Sequence, residues 1–226
     1  MHQTWDKLLF LHWRVPEEQV RPLIPNRLQI DTYEGAAWIG VTPFTIRALR
    51  PDALPALPVL SATHELNVRT YVFLGETPGV WFLSLDASNP LAVLGARIGF
   101  ALPYFQARMS LEEKTDTICF ASRRMHPGAP DAAFRGKWRL QESLPEAMPG
   151  SLEFFLIERY CLYAERGGRL ARVGIHHRPW PLRQAEMETL SSSMMESHGL
   201  STPADQPLLH SLAAPLKVEV WRPERV

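Results

Sequence analysis

Prolines limit what this chain can fold into. Twenty of them are spread from Pro16 to Pro223, and 13 glycines lie mostly between short apolar runs. Proline removes a backbone donor from a helix or a strand ladder, and both residues favour turns. This punctuation is typical of many short strands and argues against a helical bundle. We therefore predict an α+β, mostly β protein with a few short helices.

Chain length and spacing favour one domain over residues 1–226. The length of 226 residues fits one large domain, and we find neither an internal repeat nor a linker-like segment. The proline-rich segment from Pro51 to Pro58 predicts a loop. The clearest helix signal is Ser88-Asn89-Pro90, where an N-cap residue and a proline precede an apolar run that ends near Phe100.

Charge and cysteine content exclude several classes of function. Lys+Arg and Asp+Glu both number 24, so the chain has no cationic excess for nucleic acid or an anionic membrane surface. No apolar run is long enough to cross a bilayer, and the N-terminus does not resemble a signal peptide. Two cysteines without CxxC spacing are typical of reduced thiols. We predict a cytoplasmic protein with no nucleic-acid or membrane partner, and the sequence leaves a homo-oligomer open.

Motifs for cofactors are missing from the sequence. We find no dinucleotide-binding, phosphate-loop, nucleophile-elbow or zincin pattern. His176 and His177 are adjacent, so in a strand they would point to opposite faces and could not chelate one ion. The sequence therefore predicts no cofactor and no metal.

One segment has an unusual polar alternation. From residue 64 to 71, strand alternation places one polar set on one face: Glu65, Asn67, Arg69 and Tyr71. The opposite face carries His64, Leu66, Val68 and Thr70. The polar row could face water on an ordinary sandwich strand, or it could line the interior of a barrel, where its charges would need partners. In the second interpretation the opposite face packs against the helix near residues 91–100 or another outer layer.

Two further strands support the interior interpretation. In the opening strand one face carries Leu8, Phe10, His12 and Arg14, so an apolar strand ends in two polar side chains. Such an arginine could mark the mouth of a cavity or could be an exposed strand end. Alternation in a later strand also places Phe82, Ser84 and Asp86 together.

Several blocks of the sequence resemble a known family. They are His12-Trp13-Arg14-Val15-Pro16-Glu17, Leu23-Ile24-Pro25-Asn26-Arg27-Leu28, Glu65-Leu66-Asn67-Val68-Arg69-Thr70-Tyr71-Val72, Trp81-Phe82-Leu83-Ser84-Leu85-Asp86, and Ala96-Arg97 through Leu102-Pro103-Tyr104. These blocks are similar to the signatures of the YqjF-like family of unknown function, domain of unknown function 2071. The resemblance implies the fold of the acetoacetate decarboxylase-like superfamily, a β-barrel-like domain with a central cavity.

The same resemblance indicates which chemistry the chain lacks. Acetoacetate decarboxylases use a lysine that forms an imine with the keto group of the substrate. At the two matching lysine positions this chain has Tyr104 and Phe105. Arg14 matches the arginine that contacts the substrate carboxylate, and Glu65 matches an acidic pocket residue. The resemblance therefore implies a binding site without imine chemistry.

Together these features predict a pocket for a small carboxylate or keto compound. Glu65 and Tyr104 are the candidate catalytic proton-transfer pair. The candidate ligand-binding residues are Arg14, His12, Asn67, Arg69 and Tyr71. We expect Arg14 to pair with Glu65 or Asp86 when no ligand is bound. Whether the pocket catalyses a reaction or only binds stays open. The alternative is a structural or partner-binding domain in which the polar row is a paired internal network.

Overall fold

The structure is a computed structural model that describes residues 1–50 and 62–226, so the predicted loop at Pro51–Pro58 lies outside the described residues. The strands are β1 His2–Asp6, β2 Leu9–Val15, β3 Gln29–Ile30, β4 Ala37–Arg50, β5 Ala62–Leu74, β6 Thr77–Ala87, β7 Tyr104–Lys114, β8 Thr117–Arg124, β9 Ala133–Ser143, β10 Cys161–Arg166, β11 Arg169–His176, β12 Leu182–Ser192, β13 Leu208–Leu212, β14 Leu216–Val220 and β15 Glu224–Arg225. The helices are α1 Glu17–Val20, α2 Pro90–Gly99 and α3 Leu152–Ile157. The predicted mostly β class with a few short helices is confirmed.

Three long antiparallel strands, β4, β5 and β6, form a wall through the middle of the molecule. Both outer edges of this wall are divided between two partners. On β4, the first half pairs with β2 and the second half with β1. On β6, the first half pairs with β10 and the last residues with β7, both in parallel. At each edge, the wall therefore continues into two different groups of strands.

These divided edges close two rings of strands that share the wall. In the first ring β1, β14, β11 and β10 connect the second half of β4 to the first half of β6. In the second ring the first half of β4 is connected to the end of β6 by six strands, β2, β13, β12, β9, β8 and β7. The wall is consequently covered on both faces, which explains why β5 is buried almost throughout.

Each ring encloses its own apolar core. The core of the first ring includes Leu8, Phe10, Phe44, Phe82 and Trp180. The core of the second ring includes Leu9, Leu66, Val68, Phe120 and Trp138. Since β2 contributes to both cores through alternate side chains, the strand alternation predicted for it is present.

The Leu66 and Val68 face of β5 was predicted to pack against helix α2 or another outer layer, and the second of these alternatives is confirmed. Those side chains lie in the core of the second ring. Helix α2 contacts β6 and β7, and its residues Leu91, Ala92, Gly95 and Ala96 lie on the same side of the wall as the polar row of β5. The helix begins as predicted, because the Asn89 side chain accepts the backbone N–H of Leu91 and Pro90 starts the first turn.

A bulge in β6 also corrects a predicted set of neighbours. Val68 pairs with Ser84 and Arg69 pairs with Phe82, so β6 contains one extra residue at this point. Phe82 therefore faces the first ring. Ser84 and Asp86 face the second ring, where they contact His198 and Arg124. The prediction that Phe82 shares a face with Ser84 and Asp86 is wrong because alternation changes sides at the bulge.

Candidate functional site

A cavity of about 260 Å³ lies inside the first ring. All seven strands of that ring contribute lining residues, together with α2 and the segments around Tyr104, Arg159 and Trp180. The β5 side contributes the polar residues Thr63, Glu65, Asn67 and Arg69. The cavity is thus built against the polar face of the central wall.

The inward orientation predicted for the polar row is confirmed. Glu65 is 3% exposed and Arg69 is 9% exposed. Asn67 and Tyr71 are also buried. The alternative, in which this face of the strand meets water, is wrong because the first ring covers it.

Glu65 and Tyr104 are in direct contact at one part of the cavity. The Tyr104 hydroxyl donates to Glu65 Oε2 at 2.8 Å. Burial raises the pKa of Glu65 from its ordinary value of 4.5 to about 7, against the opposing effect of hydrogen bonds from Tyr104 and Asn67. Burial, and then the nearby Glu65 carboxylate, hold the pKa of Tyr104 well above its ordinary value. At neutral pH the tyrosine is therefore a neutral donor beside a carboxyl group that can both accept and release a proton.

Arg69 supplies a buried positive charge at another part of the cavity. Its guanidinium lies 5.0 Å from the centre of the Phe10 ring, and among the described residues it forms no ion pair with a carboxylate. Gly40 lies opposite Arg69 on β4, and a Cβ at Gly40 would come within 3.3 Å of Arg69 Cγ. The absence of a side chain at Gly40 leaves the space that the arginine stem occupies.

A second arginine, Arg159, lies near the same tyrosine ring as Arg69. The guanidinium carbons of Arg159 and Arg69 are 5.1 Å and 6.0 Å from the centre of the Tyr71 ring. Arg159 Nη1 is paired with Asp31 Oδ2 at 2.6 Å and Arg159 Nε donates to the Phe155 carbonyl at 2.6 Å. This end of the cavity therefore combines one compensated and one uncompensated guanidinium group, and its local charge is positive.

The predicted ligand-binding residues Tyr71 and His12 lie behind the cavity and are not among its lining residues. The Tyr71 hydroxyl donates to the Leu156 carbonyl at 2.8 Å and contacts His12 Nε2 at 2.8 Å. Because the hydroxyl proton is used on the carbonyl, His12 Nε2 must be the donor of the second bond. Burial holds the pKa of His12 well below its ordinary value, so the ring is neutral. Both residues position the wall that carries Arg69.

The predicted environment of Arg14 is wrong. Arg14 is exposed and donates to the Glu34 carbonyl at 3.2 Å. Its expected partners are engaged elsewhere: Glu65 with Tyr104, and Asp86 with Arg124 at 2.8 Å. The end of β2 that carries Arg14 belongs to the second ring, so its side chain does not reach the cavity.

Sequence reasoning missed several residues of this site and its surroundings. They are Trp5, Thr42, Arg159 and Trp180 at the cavity, and Arg124 behind the wall. Arg159 and its partner Asp31 are 128 residues apart in the sequence, and Arg124 and Asp86 are 38 apart. Local spacing carries no signal for contacts of that separation.

The four lysines all lie away from the cavity. Lys114 and Lys217 are exposed, Lys7 is paired with Glu113 and Lys137 is paired with Glu188.

Within the described ranges we find no group of three or more His, Cys, Asp or Glu side chains able to hold a metal ion. No helix in the described part of the chain is long and apolar enough to cross a membrane.

Comparison with solved structures defines the class of fold. The chain is similar to the enduracididine biosynthesis enzyme MppR in complex with the condensation product of pyruvate and imidazole 4-carboxaldehyde, with a TM-score of 0.68, 12% identity, and coverage of 99% of this chain and 88% of that one. It is also similar to an acetoacetate decarboxylase-like enzyme from Sphingomonas wittichii RW1, with a TM-score of 0.63, 12% identity, and coverage of 100% and 92%. For acetoacetate decarboxylase from Legionella pneumophila the TM-score is 0.60, with 12% identity and coverage of 100% and 87%. The fold is acetoacetate decarboxylase-like, as the sequence resemblance implied.

Within that class, the family is also clear. The chain belongs to the DUF2071 family of uncharacterized conserved proteins, whose model matches residues 2–215. It is 43% identical over 210 residues to the uncharacterized protein YqjF of Bacillus subtilis strain 168. The aligned residues cover 93% of this chain and 86% of that protein. The predicted family is therefore confirmed.

Proposed function

We propose that the cavity of the first ring binds a small carboxylate or keto compound, with Arg69 as the residue that holds its anionic group. The observation that carries this proposal is a buried guanidinium that lines the cavity and has no carboxylate partner among the described residues. A buried charge without a partner is costly, and a bound anion would offset that cost. Arg159 beside the same Tyr71 ring strengthens the positive potential there.

Proton transfer is the reaction that Glu65 and Tyr104 would support. A carboxyl group with a pKa of about 7 is matched to general acid–base work at neutral pH. In this proposal Glu65 takes a proton from the carbon next to the ligand carbonyl. The electron pair of that C–H bond moves into the carbonyl to give an enolate, and Glu65 can later return the proton. Tyr104 keeps Glu65 oriented through its hydrogen bond.

Imine chemistry is not part of this proposal. In the resemblance to acetoacetate decarboxylases, Tyr104 and Phe105 occupy the lysine positions, and no lysine of this chain lines the cavity. We expect incubation with acetoacetate and borohydride to leave the protein mass unchanged. Peptide mapping that finds a reduced adduct on any of the four lysines would overturn this expectation.

The alternative is a structural or partner-binding domain with a paired internal network. Parts of the interior fit it, since Asp86 pairs with Arg124 and Arg159 pairs with Asp31. Arg69 does not fit it, because a network that exists only for stability would pair its buried charge. The alternative therefore makes a different prediction for ligand binding when Arg69 is changed.

Calorimetric titration of pyruvate and acetoacetate into the protein tests the proposal. Arg69→Met keeps most of the stem volume and removes the charge, and we expect affinity to fall by about 10- to 100-fold, the value of a hydrogen bond to a charged group. Arg14→Met is the matched control, because it makes the same change at an exposed arginine away from the cavity. Equal binding by wild type and Arg69→Met, or no binding of either acid, would favour the structural alternative.

A further inference from the structure

The cavity is lined by buried polar atoms that have no hydrogen-bond partner among residues 1–50 and 62–226. Five residues that line it each carry one such atom: Trp5 Nε1, Thr42 Oγ1, Thr63 Oγ1, Asn67 Oδ1 and Arg69 Nε. Thr42 and Thr63 are 1% and 2% exposed. Buried polar groups in folded proteins are ordinarily hydrogen-bonded, so each exception calls for a partner. Four of these five atoms can donate a hydrogen bond, so the cavity points to a ligand that supplies acceptor oxygen atoms.

Four of these residues form a continuous band along the wall. Thr63, Asn67 and Arg69 lie on the inward face of β5, and Thr42 lies directly opposite Asn67 on β4. At about 3.3 Å per residue, this polar strip runs for roughly 20 Å from Thr63 to Arg69. The positive charge of the strip lies at its Arg69 end, and the titratable Glu65 lies between Thr63 and Asn67, so the Arg69 end is the part that suits an anionic group.

The rest of the cavity lining, which we call the aromatic wall, is apolar and rich in rings. The lining residues there include Phe44, Phe82, Leu91, Phe100, Ile157, Leu162 and Trp180. Trp180 is fixed by a bond from its Nε1 to the Ile157 carbonyl at 2.9 Å and stacks on Trp5 at a centroid distance of 5.7 Å. These aromatic groups are therefore held in place and present a preformed apolar surface.

The cavity has room for a ligand larger than pyruvate. An apolar cavity of about 150 Å³ accepts benzene, so a volume near 260 Å³ corresponds to a ligand of roughly 10 non-hydrogen atoms. A three-carbon acid would occupy the Arg69 end and leave the aromatic wall without contacts.

We propose that the ligand of this site is an amphipathic carboxylate with an aryl body: its carboxylate binds Arg69, its other oxygen atom bonds the part of the polar strip next to Arg69, at Thr42 and Asn67, and its ring packs against the aromatic wall. This inference rests on the proposed function and specifies its ligand class. It identifies a 2-keto acid with an aryl substituent, such as phenylpyruvate, as a better probe than pyruvate or acetoacetate.

Three related probes separate the parts of this inference. Calorimetry compares pyruvate, phenylpyruvate and phenylacetone, which lacks the carboxylate. Burial of a phenyl group should make phenylpyruvate bind about 10- to 100-fold more tightly than pyruvate. Phenylacetone should bind weakly, because it cannot neutralise Arg69.

Two pairs of variants test the contacts. Thr42→Val preserves shape and removes an unpartnered hydroxyl, and it should weaken phenylpyruvate about 3- to 10-fold; Thr189→Val, an exposed threonine of β12, is the control and should have no effect. Phe82→Leu should weaken phenylpyruvate and leave pyruvate unchanged. Circular dichroism confirms that each variant is folded before it is titrated.

The outcomes distinguish this inference from the proposed function. Equal affinity for pyruvate and phenylpyruvate, both lost in Arg69→Met, would overturn the aryl class and leave the carboxylate site standing. Binding of phenylacetone as tight as that of phenylpyruvate would overturn both, as would the absence of binding by any keto acid. Unchanged phenylpyruvate affinity in both Thr42→Val and Phe82→Leu would overturn the assigned contacts.

Discussion

At the residue scale, two buried arginines on opposite faces of the wall differ in whether a carboxylate is paired with them. Arg124 is paired with Asp86 at 2.8 Å, with both side chains almost fully buried. Arg69 has no carboxylate partner among the described residues. Loss of one member of a buried pair leaves the other charge uncompensated, whereas loss of an unpaired charge removes a cost. The two arginines therefore differ in what they contribute to stability.

We expect Arg124→Met to lower the free energy of unfolding by about 3–5 kcal/mol. Arg69→Met should leave that free energy unchanged within about 1 kcal/mol or raise it, because methionine retains the packing against Phe10 and carries no charge. Urea denaturation of both variants measures the difference. A loss of stability in Arg69→Met as large as that in Arg124→Met would mean that Arg69 has a structural partner.

Glu65 should make the stability of the protein depend on pH in an identifiable way. Its pKa rises from 4.5 to about 7 on folding because it is buried, so the folded protein binds this proton more tightly than the unfolded chain. Stability from this group is therefore fully present below pH 4.5 and is lost as pH rises to about 7. A shift of this size corresponds to a loss on the order of 3 kcal/mol.

Glu65→Gln isolates this contribution, because the buried histidines titrate equally in both proteins. The stability of wild type minus that of Glu65→Gln should fall between pH 5 and pH 7 and level off by about pH 8. Denaturation curves at each pH give this difference. A difference that stays constant with pH would show that Glu65 is ionised throughout.

Alternation along an unbroken strand predicted that Glu65 and Arg69 share a face, and the family resemblance favoured the interior over water for that face. The same rule identified the face of Arg14 correctly and its environment incorrectly. A face continues along a strand, but whether it meets the cavity or water depends on which other strands cover it. The end of β2 is covered by β4, in which Trp38, 24 residues further along the chain, pairs with Arg14. Residue patterns therefore predict orientation better than they predict neighbours.

At the element scale, the close parallel contact between β6 and β10 closes the first ring at one edge of the wall. Their pairing spans only Val80 to Leu162 and Trp81 to Tyr163. Gly79 precedes it, and a Cβ at this position would lie 2.9 Å from the Cys161 carbonyl oxygen and 2.9 Å from the Tyr163 ring. A backbone oxygen cannot move away as a flexible side chain can, so the contact requires glycine.

Gly79→Ala should therefore lower the free energy of unfolding by about 1–3 kcal/mol, as other overpacked sites do. Gly95→Ala is the matched control, since it makes the same change in α2 where a Cβ meets no atom within 4 Å. There alanine should raise stability by about 0.5–1 kcal/mol through its greater helix propensity. A Gly79→Ala protein as stable as the wild type would mean that β10 shifts without cost.

Element boundaries and types were largely predictable from proline, glycine and alternation, and the bulge in β6 was not. Nothing in Trp81-Phe82-Leu83-Ser84-Leu85-Asp86 marks an extra residue, because the side chains on both sides of the strand are suited to burial. The bulge is visible only in the pairing of Arg69 with Phe82 and Val68 with Ser84. A strand buried on both faces thus loses the contrast between faces that reveals a change of register.

At the scale of the whole molecule, ring closure depends on contacts that are far apart in the sequence. The N-terminal strand β1 pairs with β14, and the Met1 ammonium donates to the Val220 carbonyl at 3.0 Å, across 219 residues. Strand β2 pairs with β13 at the other end of the chain. No local pattern carries this information, so only the family resemblance predicted a closed architecture.

Because the two rings share the wall, we expect them to form one folding unit, which is also what the predicted single domain requires. Each ring uses β4, β5 and β6 as three of its strands, so loss of either ring exposes one apolar face of the wall. Exposure of that much apolar surface should destabilise the remaining ring, and we expect both to unfold together. Native-state hydrogen exchange in increasing urea, followed by mass spectrometry, measures this. Peptides from β10 and β11 in the first ring should reach the same opening free energy and the same urea dependence as peptides from β8 and β9 in the second. A smaller opening free energy confined to β1, β10, β11 and β14 would mean that the cavity-bearing ring opens while the second ring stays folded, and the chain would then contain two separable units.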